Sequence, residues 1–293
     1  MPMDRFLEIA FEDIGFFIMR SHEQVPARLH HFTSDLSKVE SILGNREMWA
    51  SHAYDMNDPR ELRYGSHLIH ERLREYRRRY GRLSLQLDQF FDMAMERDNP
   101  FDNPFNSTPP PFVISLCEDG SSDSQWQKYG NEGKGFCFNF DINRDGMGSL
   151  MAEKLHFLPV IYDPEVQLRL IDTAIQRQVN HLLRSAREDM AMFYGMNASC
   201  AFFYVAMLYA SVFKSPYWRD EREWRLVRGL RSITPAPFHT LRIGDKERRF
   251  NKVGFRELAS ALALHDISCG SNVPTENIAQ LTSLLSTFRG TET

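Results

Sequence analysis

Residues 131–141, Asn-Glu-Gly-Lys-Gly-Phe-Cys-Phe-Asn-Phe-Asp, carry the clearest fold signal in the chain. Asn131 and the glycines that follow it are the residue types that tight turns prefer. The three phenylalanines from Phe136 to Phe140 then alternate with other residues, which is typical of a strand with one buried face. The segment therefore predicts a hairpin-like turn that leads into a half-buried strand.

Outward from this strand, the pattern predicts an α+β fold with a mixed, mostly antiparallel sheet and inserted helices, because strands occur on both sides of the helical segments without a repeated βαβ order. We interpret residues 1–293 as one domain. It contains a helical insertion at about 66–111 and a buried helical segment at about 164–213. Further strands are predicted at 112–116, 221–227, 238–243 and 267–269, and helices at 66–97 with a break near Gly81, at 164–187 and at 275–285.

The overall composition is that of an ordinary globular protein. The 293 residues are 42% hydrophobic and 25% charged, which is enough to build a large core. The formal net charge is −4, so no general positive field attracts the whole protein to nucleic acid or to an acidic membrane. Any such binding has to come from a local patch.

Cysteine spacing and the first residues of the chain both predict a cytoplasmic protein. The four cysteines are far apart and form no pair with metal-ligand spacing, so we expect reduced thiols and no metal site. Acidic residues interrupt the apolar N-terminal stretch, which is unlike a signal peptide. The cysteines are Cys117, Cys137, Cys200 and Cys269.

Residues 190–213 contain no charged residue and are long enough to cross a bilayer. Three tyrosines and Asn197 interrupt this stretch, and no Lys/Arg cluster flanks it. A helix that is apolar all round is also what the centre of a large domain requires. We therefore predict a buried core helix and no membrane association.

Three groups of residues, spanning about 29–227, form a pattern that is more specific in its order than any one group alone. The first is His31-Phe-Thr-Ser34, then Met48-Trp-Ala-Ser51 and Asn57-Asp-Pro-Arg-Glu61. The second is Ser115-Leu-Cys-Glu118 with Asp123, Trp126, Tyr129, Gly135 and Phe140-Asp141. The third is Trp218-Arg-Asp-Glu-Arg-Glu-Trp-Arg225.

This ordered set resembles a bacterial family known as the domain-of-unknown-function 2971 family. Its members show a His-aromatic-Thr-Ser start, a Leu-Trp-Ala segment before Asn-Asp-Pro-x-Glu, and a late Trp-x-x-Glu-x-Glu-x-Arg. The layout is also similar, more weakly, to the ADP-ribosyltransferase fold. That second resemblance implies a split sheet, NAD as the substrate and transfer of ADP-ribose to a protein or nucleic acid, with a role as a toxin or in phage defence as part of the hypothesis.

The resemblance to ADP-ribosyltransferases also implies residue roles. His31 would hydrogen-bond the ribose, Thr33 would position the nicotinamide end, and Glu223 would be the catalytic carboxylate. Glu221 and Glu223 share a face if this stretch is a strand. The family's nicotinamide-stacking tyrosine has no clear match, so four aromatic residues stay open for that role. They are Trp49, Tyr54, Trp126 and Tyr129, and the predicted cofactor-binding set is completed by Ser51, Glu221 and Arg225.

Each of these residues also has a structural interpretation. His31 could be an ordinary structural histidine near a strand. Residues 58–61 have the sequence of a helix N-cap and capping box, which favours a scaffold role for Asn57 and Asp58. Trp126 and Tyr129 could be core aromatics on a short helix, and the two late glutamates could form exposed ion pairs with neighbouring arginines.

An arginine-rich helix supports the alternative hypothesis of a non-catalytic nucleotide or nucleic-acid binding module. Arginines interleaved with tyrosines can grip phosphates and stack on bases, although acidic neighbours dilute the charge and a solvated helix face is the commoner outcome. Motifs of nucleoside triphosphatases, zinc proteases and serine hydrolases are not found in the sequence. The arginines are Arg72, Arg74, Arg77, Arg78, Arg79 and Arg82.

Overall fold

A computed structural model of the protein describes residues 12, 17, 18, 20–56, 60–95, 111–184, 190–229, 238–243 and 246–290. The predicted cap at residues 57–59 and most of the proline-rich loop at 99–111 lie outside this set. The strands are β1 Arg28–Thr33, β2 Glu47–His52, β3 Phe112–Cys117, β4 Phe136–Ile142, β5 Leu155–Pro159, β6 Glu223–Arg228, β7 His239–Ile243, β8 Lys246–Gly254 and β9 Leu262–Cys269.

Helices are interspersed among these strands, and within the described residues short 3-10 helices cover Ala53–Asp55, Arg144–Gly146 and Pro216–Glu221. The predicted helix over 66–97 is divided into two helices, and the first of them ends just before Gly81, where the sequence predicted a break. The helices are α1 Leu36–Asn45, α2 Arg60–Tyr80, α3 Leu85–Met95, α4 Asp123–Lys128, α5 Met147–Leu150, α6 Pro164–Arg184, α7 Ala191–Val212, α8 Phe255–Leu258 and α9 Thr275–Gly290.

The strands form one curled sheet in the order β7-β8-β2-β3-β1-β4-β9, with β6 on the other edge of β3 and β5 beyond it. The predicted α+β class is confirmed, and every pairing between the named strands is antiparallel rather than mixed. Strand β3 is the centre of this arrangement. Its first residues pair with β2, its last residue Cys117 pairs with His30 of β1, and β6 accompanies its whole length. Strands β1 and β2 therefore diverge along one edge of β3.

The predicted phenylalanine strand is β4, and all three of its phenylalanines are buried. Cys137 and Asn139 between them are buried as well, so the prediction of a strand with only one buried face was wrong. The turn before it contains positive φ angles at Asn131 and Gly133, as the residue types predicted. The prediction of a hairpin was wrong, because helix α4 rather than a strand precedes the turn, and β4 pairs with β1 and β9. The residue types around Asn131 and Gly133 therefore determined the turn, whereas the strands that pair with β4 come from distant parts of the sequence.

Two helical layers cover the sheet. Helices α2, α3, α6 and α7 pack together over Val113 and Val227, and α1, α5, α8 and α9 pack over Phe138 and Trp224 on the opposite face. The segment predicted as an insertion at 66–111 therefore contributes α2 and α3 to the helical core. Among the described helices, only α7 is long and apolar enough to span a membrane, and 67% of its most apolar window is buried inside the protein. This burial supports the interpretation as a core helix.

The contact between α2 and α7 depends on a glycine. A Cβ atom at Gly65 would lie 2.7 Å from the Cα of Ala210, so the two helix backbones approach closely. We expect Gly65→Ala to lower the free energy of unfolding by about 1–3 kcal/mol, because overpacking outweighs the gain in helix propensity. Gly44→Ala in α1 is the matched control, since a Cβ there meets no atom within 4 Å, and it should raise stability by up to about 1 kcal/mol. Urea unfolding of both variants measures the difference, and equal stabilisation by both would contradict the close packing.

Candidate functional site

A cavity of about 400 Å³ lies where the end of β3 meets β1, beneath α4 and the segment 214–223. Its volume is within the range of ligand sites, roughly 300–1,000 Å³. The sheet supplies the floor, and the loop after α7 supplies one wall. The lining residues are His30, His31, Phe32, Met56, Ser115, Leu116, Cys117, Gln125, Lys128, Tyr129, Lys214, Trp218, Glu221 and Glu223.

The structure brings together some of the residues predicted from the sequence. His31 from the front of the chain and Glu223 from its last third line the same cavity, as do Glu221 and Tyr129. The other predicted residues are not among those that line it. They are Thr33, Trp49, Ser51, Trp126 and Arg225.

A buried cluster of four charged side chains stands at the wall of the cavity; Lys214, Glu221 and Glu223 line it, and Arg225 binds Glu223 without lining it. Lys214 Nζ contacts Glu221 Oε2 at 2.5 Å and Glu223 Oε2 at 3.1 Å. Arg225 donates from Nε to Glu223 Oε1 at 2.8 Å and from a terminal nitrogen to Glu223 Oε2 at 2.9 Å. All four residues are buried. Two positive and two negative charges thus compensate one another in a low-dielectric setting.

The pKa of Glu223 results from opposing effects. Burial raises it, but the charges of Arg225 and Lys214 and the hydrogen bonds from Arg225 and the Ser115 hydroxyl lower it more, from 4.5 to about 2. The carboxylate therefore stays ionised through the physiological range. Its oxygens are also fully used, because both accept from Arg225 and one accepts from Lys214.

The backbone around Lys214 is fixed by a buried amide. Gln167 Nε2 donates to the carbonyl oxygens of Ile161 and Lys214, and an isolated parallel bridge joins Ile161 to Phe213. Arg225 in turn donates to the carbonyl oxygen of Ser211 at the end of α7. The end of the apolar helix is thereby tied to strand β6, which holds the Lys214 ammonium between the two carboxylates.

Glu221 is held differently from Glu223. It ends the 3-10 helix Pro216–Glu221, so the prediction that a strand begins at Glu221 was wrong. Arg222 follows with a positive φ of 41°, and this left-handed turn directs both glutamates to one cavity although they do not share a strand face. Among the residues that the structure describes, Oε1 of Glu221 has partners at the end of α4 and just after it, Lys128 Nζ at 3.2 Å and the Tyr129 hydroxyl at 3.4 Å.

His31 inserts into the gap between β1 and β3. Its Nδ1 donates to the carbonyl oxygen of Ser115 at 2.9 Å, and the carbonyl fixes this direction because it can only accept. Burial lowers the pKa of His31, an effect that the Ser115 hydrogen bond partly opposes and that the charge of Lys38 reinforces. In the neutral ring Nε2 is then an acceptor, and no partner for it is found in the described part of the chain.

The predicted residues that do not line the cavity have structural surroundings of their own. Trp49 on β2 stacks on Phe250 of the neighbouring strand β8, and its side chain is 40% exposed. Strand β2 lies on one edge of β3, whereas β6, which carries Glu223, lies on the other. Ser51 is paired with Val113 and Phe250 in the same part of the sheet. Because β2 diverges from the cavity, the structure does not bring Trp49 or Ser51 to it, and their binding roles stay predictions.

Trp126 and Thr33 also have packing roles. The Trp126 indole donates to the carbonyl oxygen of Gly120 and packs edge-on against Phe32, which is the core-aromatic alternative considered from the sequence. Thr33 is buried beside Phe136 at the end of β1. Arg225 donates two hydrogen bonds to Glu223. The side chain of Tyr54 lies outside the described residues.

Several lining residues were missed by the sequence analysis. Lys214 is the first charged residue after the apolar helix, and that position was the available signal. Lys128 lies with its ammonium 4.3 Å from the centre of the Trp218 ring, so a cation–π pair borders the mouth. Cys117 lies in the floor, where burial raises its pKa to about 12. A thiol that stays protonated is a poor nucleophile, so Cys117 acts as floor.

Metal coordination has no candidate in the ranges that the structure describes, where no three His, Cys, Asp or Glu side chains are grouped for an ion. The arginine-rich helix α2 is largely compensated in charge. Arg72 binds Asp172 through two hydrogen bonds, and Arg74 and Arg77 pair with acids of α2 and α3. Arg78 and Arg79 are exposed. This pairing favours the solvated-face interpretation, and nucleic-acid binding stays a prediction.

Residues 125–226 match the model of a family described as "Protein of unknown function (DUF2971)". The predicted resemblance to that family is therefore confirmed over this stretch, which contains Tyr129, Lys214, Trp218 and both glutamates of the cavity. The first motif, with His31 and Trp49, lies before it. Neither the curated proteins nor the solved structures contain a match to the chain.

The ion cluster has a measurable acid signature. A carboxylate whose folded pKa lies below its unfolded value contributes stability above the unfolded pKa, and the contribution is lost as the pH falls through the folded pKa. For Glu223 this interval runs from 4.5 down to about 2, and the loss is on the order of 3 kcal/mol. We expect Glu223→Gln to be less stable at pH 7 and to have a flatter acid limb in pH-dependent urea unfolding. The control Glu165→Gln, whose side chain is 85% exposed, should retain the wild-type slope, and an unchanged slope in Glu223→Gln would contradict the ion-pair assignment.

Proposed function

We propose that this protein is an ADP-ribosyltransferase-like enzyme that cleaves NAD at the bond between nicotinamide and ribose, with the ribose bound in the cavity. The observation that carries the proposal is the convergence of the His31 imidazole and two glutamates on one cavity. A family resemblance suggested this pairing, but residues almost two hundred positions apart had to meet for it to be chemically useful. Catalysis needs both groups near one sugar.

The proposed chemistry explains the residue types. Departure of nicotinamide leaves positive charge on the ribose, so a fixed carboxylate stabilises the transition state more than the neutral-sugar ground state. The Nε2 lone pair of His31 would accept a hydrogen bond from a ribose hydroxyl. Tyr129 and Trp218 would supply aromatic surface for the nicotinamide ring. ADP-ribose would pass to a protein or nucleic-acid acceptor.

Glu221, rather than Glu223, is the better candidate for the carboxylate that faces the sugar. Both oxygens of Glu223 accept from the buried Arg225, so a ligand would have to compete with a bidentate pair. Within the described ranges, Oε1 of Glu221 accepts hydrogen bonds of 3.2 Å from Lys128, whose side chain is 41% exposed, and 3.4 Å from Tyr129. In the proposal Glu223 holds Lys214, and Lys214 fixes the other oxygen of Glu221. This reverses the roles assigned from the sequence.

The size of the cavity suits one half of the dinucleotide. A volume of about 400 Å³ accommodates a nucleoside-sized group. The phosphates would then lie near the mouth, where Lys128 is the exposed one of the two lysines beside Trp218, since Lys214 is buried. Binding of a phosphate to Lys128 would also release Oε1 of Glu221 from its ion pair, which ties nucleotide binding to exposure of the carboxylate.

The second candidate is a nucleotide-binding protein without turnover. The engagement of Glu221 by two ammonium groups favours it, because Lys214 and Lys128 already neutralise the carboxylate that would have to stabilise a developing cation. The two candidates share the cavity and differ in whether nicotinamide is released. In the second, Glu221→Gln would leave nucleotide binding unchanged and no activity would exist to lose.

Turnover of labelled NAD tests the first candidate. We expect the wild-type protein to release nicotinamide or to transfer label to a macromolecule in a cell extract. Glu221→Gln should lower kcat by about 10²–10³-fold, the usual effect of removing one group that stabilises transition-state charge, with ADP-ribose affinity retained. The matched control is Glu165→Gln on the exposed face of α6, which should keep wild-type turnover.

The outcomes separate the two candidates. Nucleotide binding without nicotinamide release, in wild type and Glu221→Gln alike, supports the non-catalytic protein and rejects the enzyme. If neither NAD nor ADP-ribose binds at millimolar concentration, both candidates fail.

Occupation of the cavity can be tested without changing any charge. Cys117 is buried in the floor between β1 and β6. We expect Cys117→Phe to fill the space above the floor and to weaken ADP-ribose binding by at least about tenfold, a cost of about 1.4 kcal/mol, whereas Cys117→Ala should bind like the wild type. Calorimetric titration of both variants gives the comparison. Equal affinity for the two variants would mean that the ligand binds elsewhere.

A further inference from the structure

A row of polar side chains crosses five strands beneath the cavity. In this row each residue is paired with the next one on the neighbouring strand. The order is Glu223 on β6, Cys117 on β3, His30 on β1, Asn139 on β4 and Asp266 on β9. Directly paired residues of neighbouring strands point to the same face of a sheet. His30 therefore lies on the face of the sheet that carries Glu223, with Cys117 between them.

We propose that His30 is a second ligand-contacting residue of the cavity, and that Asn139 and Asp266 position it so that its Nε2 accepts a hydrogen bond from a ligand hydroxyl. The inference rests on the proposed function for the identity of the hydroxyl, which would belong to a ribose. His30 was not among the site residues predicted from the sequence.

The tautomer of His30 follows from a chain of hydrogen bonds. Asn139 Nδ2 contacts Asp266 Oδ1 at 2.5 Å and Ser268 Oγ at 2.7 Å. An ionised carboxylate can only accept, so the NH₂ group of Asn139 must face Asp266. The Asn139 Oδ1 then faces His30, and the His30 Nδ1 that lies 2.6 Å from it must carry a proton. In the neutral ring Nε2 keeps its lone pair.

The surroundings hold the ring in this orientation. A Cβ atom at Gly120 would lie 2.5 Å from His30 Nδ1, so the backbone of that turn packs directly against the imidazole. Asn139 is buried, and the pairing of β4 with β9 shifts register immediately after it. Such irregularities redirect side chains beside functional sites. Nε2 of His30 has no partner among the residues that the structure describes, while the ring lines the cavity.

Spacing supports a role opposite the carboxylates. Adjacent strands lie about 4.8 Å apart, so His30 and Glu223 are separated by roughly 10 Å across Cys117. This distance leaves room for a sugar ring above the thiol. His31 enters the same cavity through the gap between β1 and β3. Two imidazoles, each with Nδ1 engaged by an oxygen, then present two acceptors to the hydroxyls of one ligand.

Nitrogen-15 spectra of histidine-labelled protein test the positioning. The His30 signals are assigned by their loss in His30→Gln, and we expect a protonated Nδ1 and an unprotonated Nε2. In Asp266→Asn the neighbouring amide can either donate or accept, so Asn139 can turn over and the tautomer of His30 should become mixed. The control is His265→Gln. His265 is an exposed residue next to Asp266 on β9, and its side chain hydrogen-bonds to Asp141, so its replacement should leave the His30 signals unchanged.

Titration with ADP-ribose tests the contact. His30→Gln and Asn139→Leu should each weaken ADP-ribose binding by about 3–10-fold, the range for one hydrogen bond. Asp266→Asn should also weaken binding, and it replaces Asn139→Leu if that larger change prevents folding. His265→Gln should bind within twofold of the wild type. A wild-type His30 protonated at Nε2, or a His30→Gln protein with unchanged affinity, would overturn the proposal.

The two proposals fail in different ways. Normal NAD cleavage with an unchanged KM in His30→Gln rejects the role of His30 and leaves the enzyme. Conversely, ADP-ribose binding that depends on His30 in a protein that releases no nicotinamide supports the contact and rejects catalysis.

Discussion

The site depends on four charged side chains buried together at the end of the apolar helix α7. Moving a single charge from water into a protein interior is costly, and a lone buried Lys214 or Arg225 would be strongly destabilising. Their pairing with Glu221 and Glu223 makes the burial tolerable. Because Arg225 also donates to the end of α7, the same cluster joins the helical layer to the sheet and holds a carboxylate at the cavity wall.

The divergence of β1 and β2 along β3 creates the space that this cluster faces. An uninterrupted strand pair would satisfy the Ser115 carbonyl through the backbone, but here His31 donates to it from its side chain. The gap in the ladder thus places an imidazole in the sheet itself. Both the cavity and the orientation of His31 follow from this single irregularity.

The family match and the cavity have closely related boundaries. The matched stretch runs from 125 to 226, and it supplies the walls, from Gln125 on α4 to Glu223 on β6. The floor and the histidines come from β1 and β3, which precede the match. The stretch includes α6 and α7, whose packing carries Lys214 to the site. The matched region therefore builds the charged half of the cavity, and the earlier strands complete it.

Local chemistry and periodicity determined much of the fold from the sequence: the α+β class, the phenylalanine strand, the break at Gly81 and the core helix at 191–212. These features depend on residues a few positions apart. Strand order, the absence of the predicted hairpin and the position of Tyr129, rather than Trp49 or Trp126, at the cavity depended on pairings across the chain. The row from Glu223 through His30 to Asp266 likewise exists only in the tertiary structure, because register between distant strands is set by how both faces of the sheet are buried.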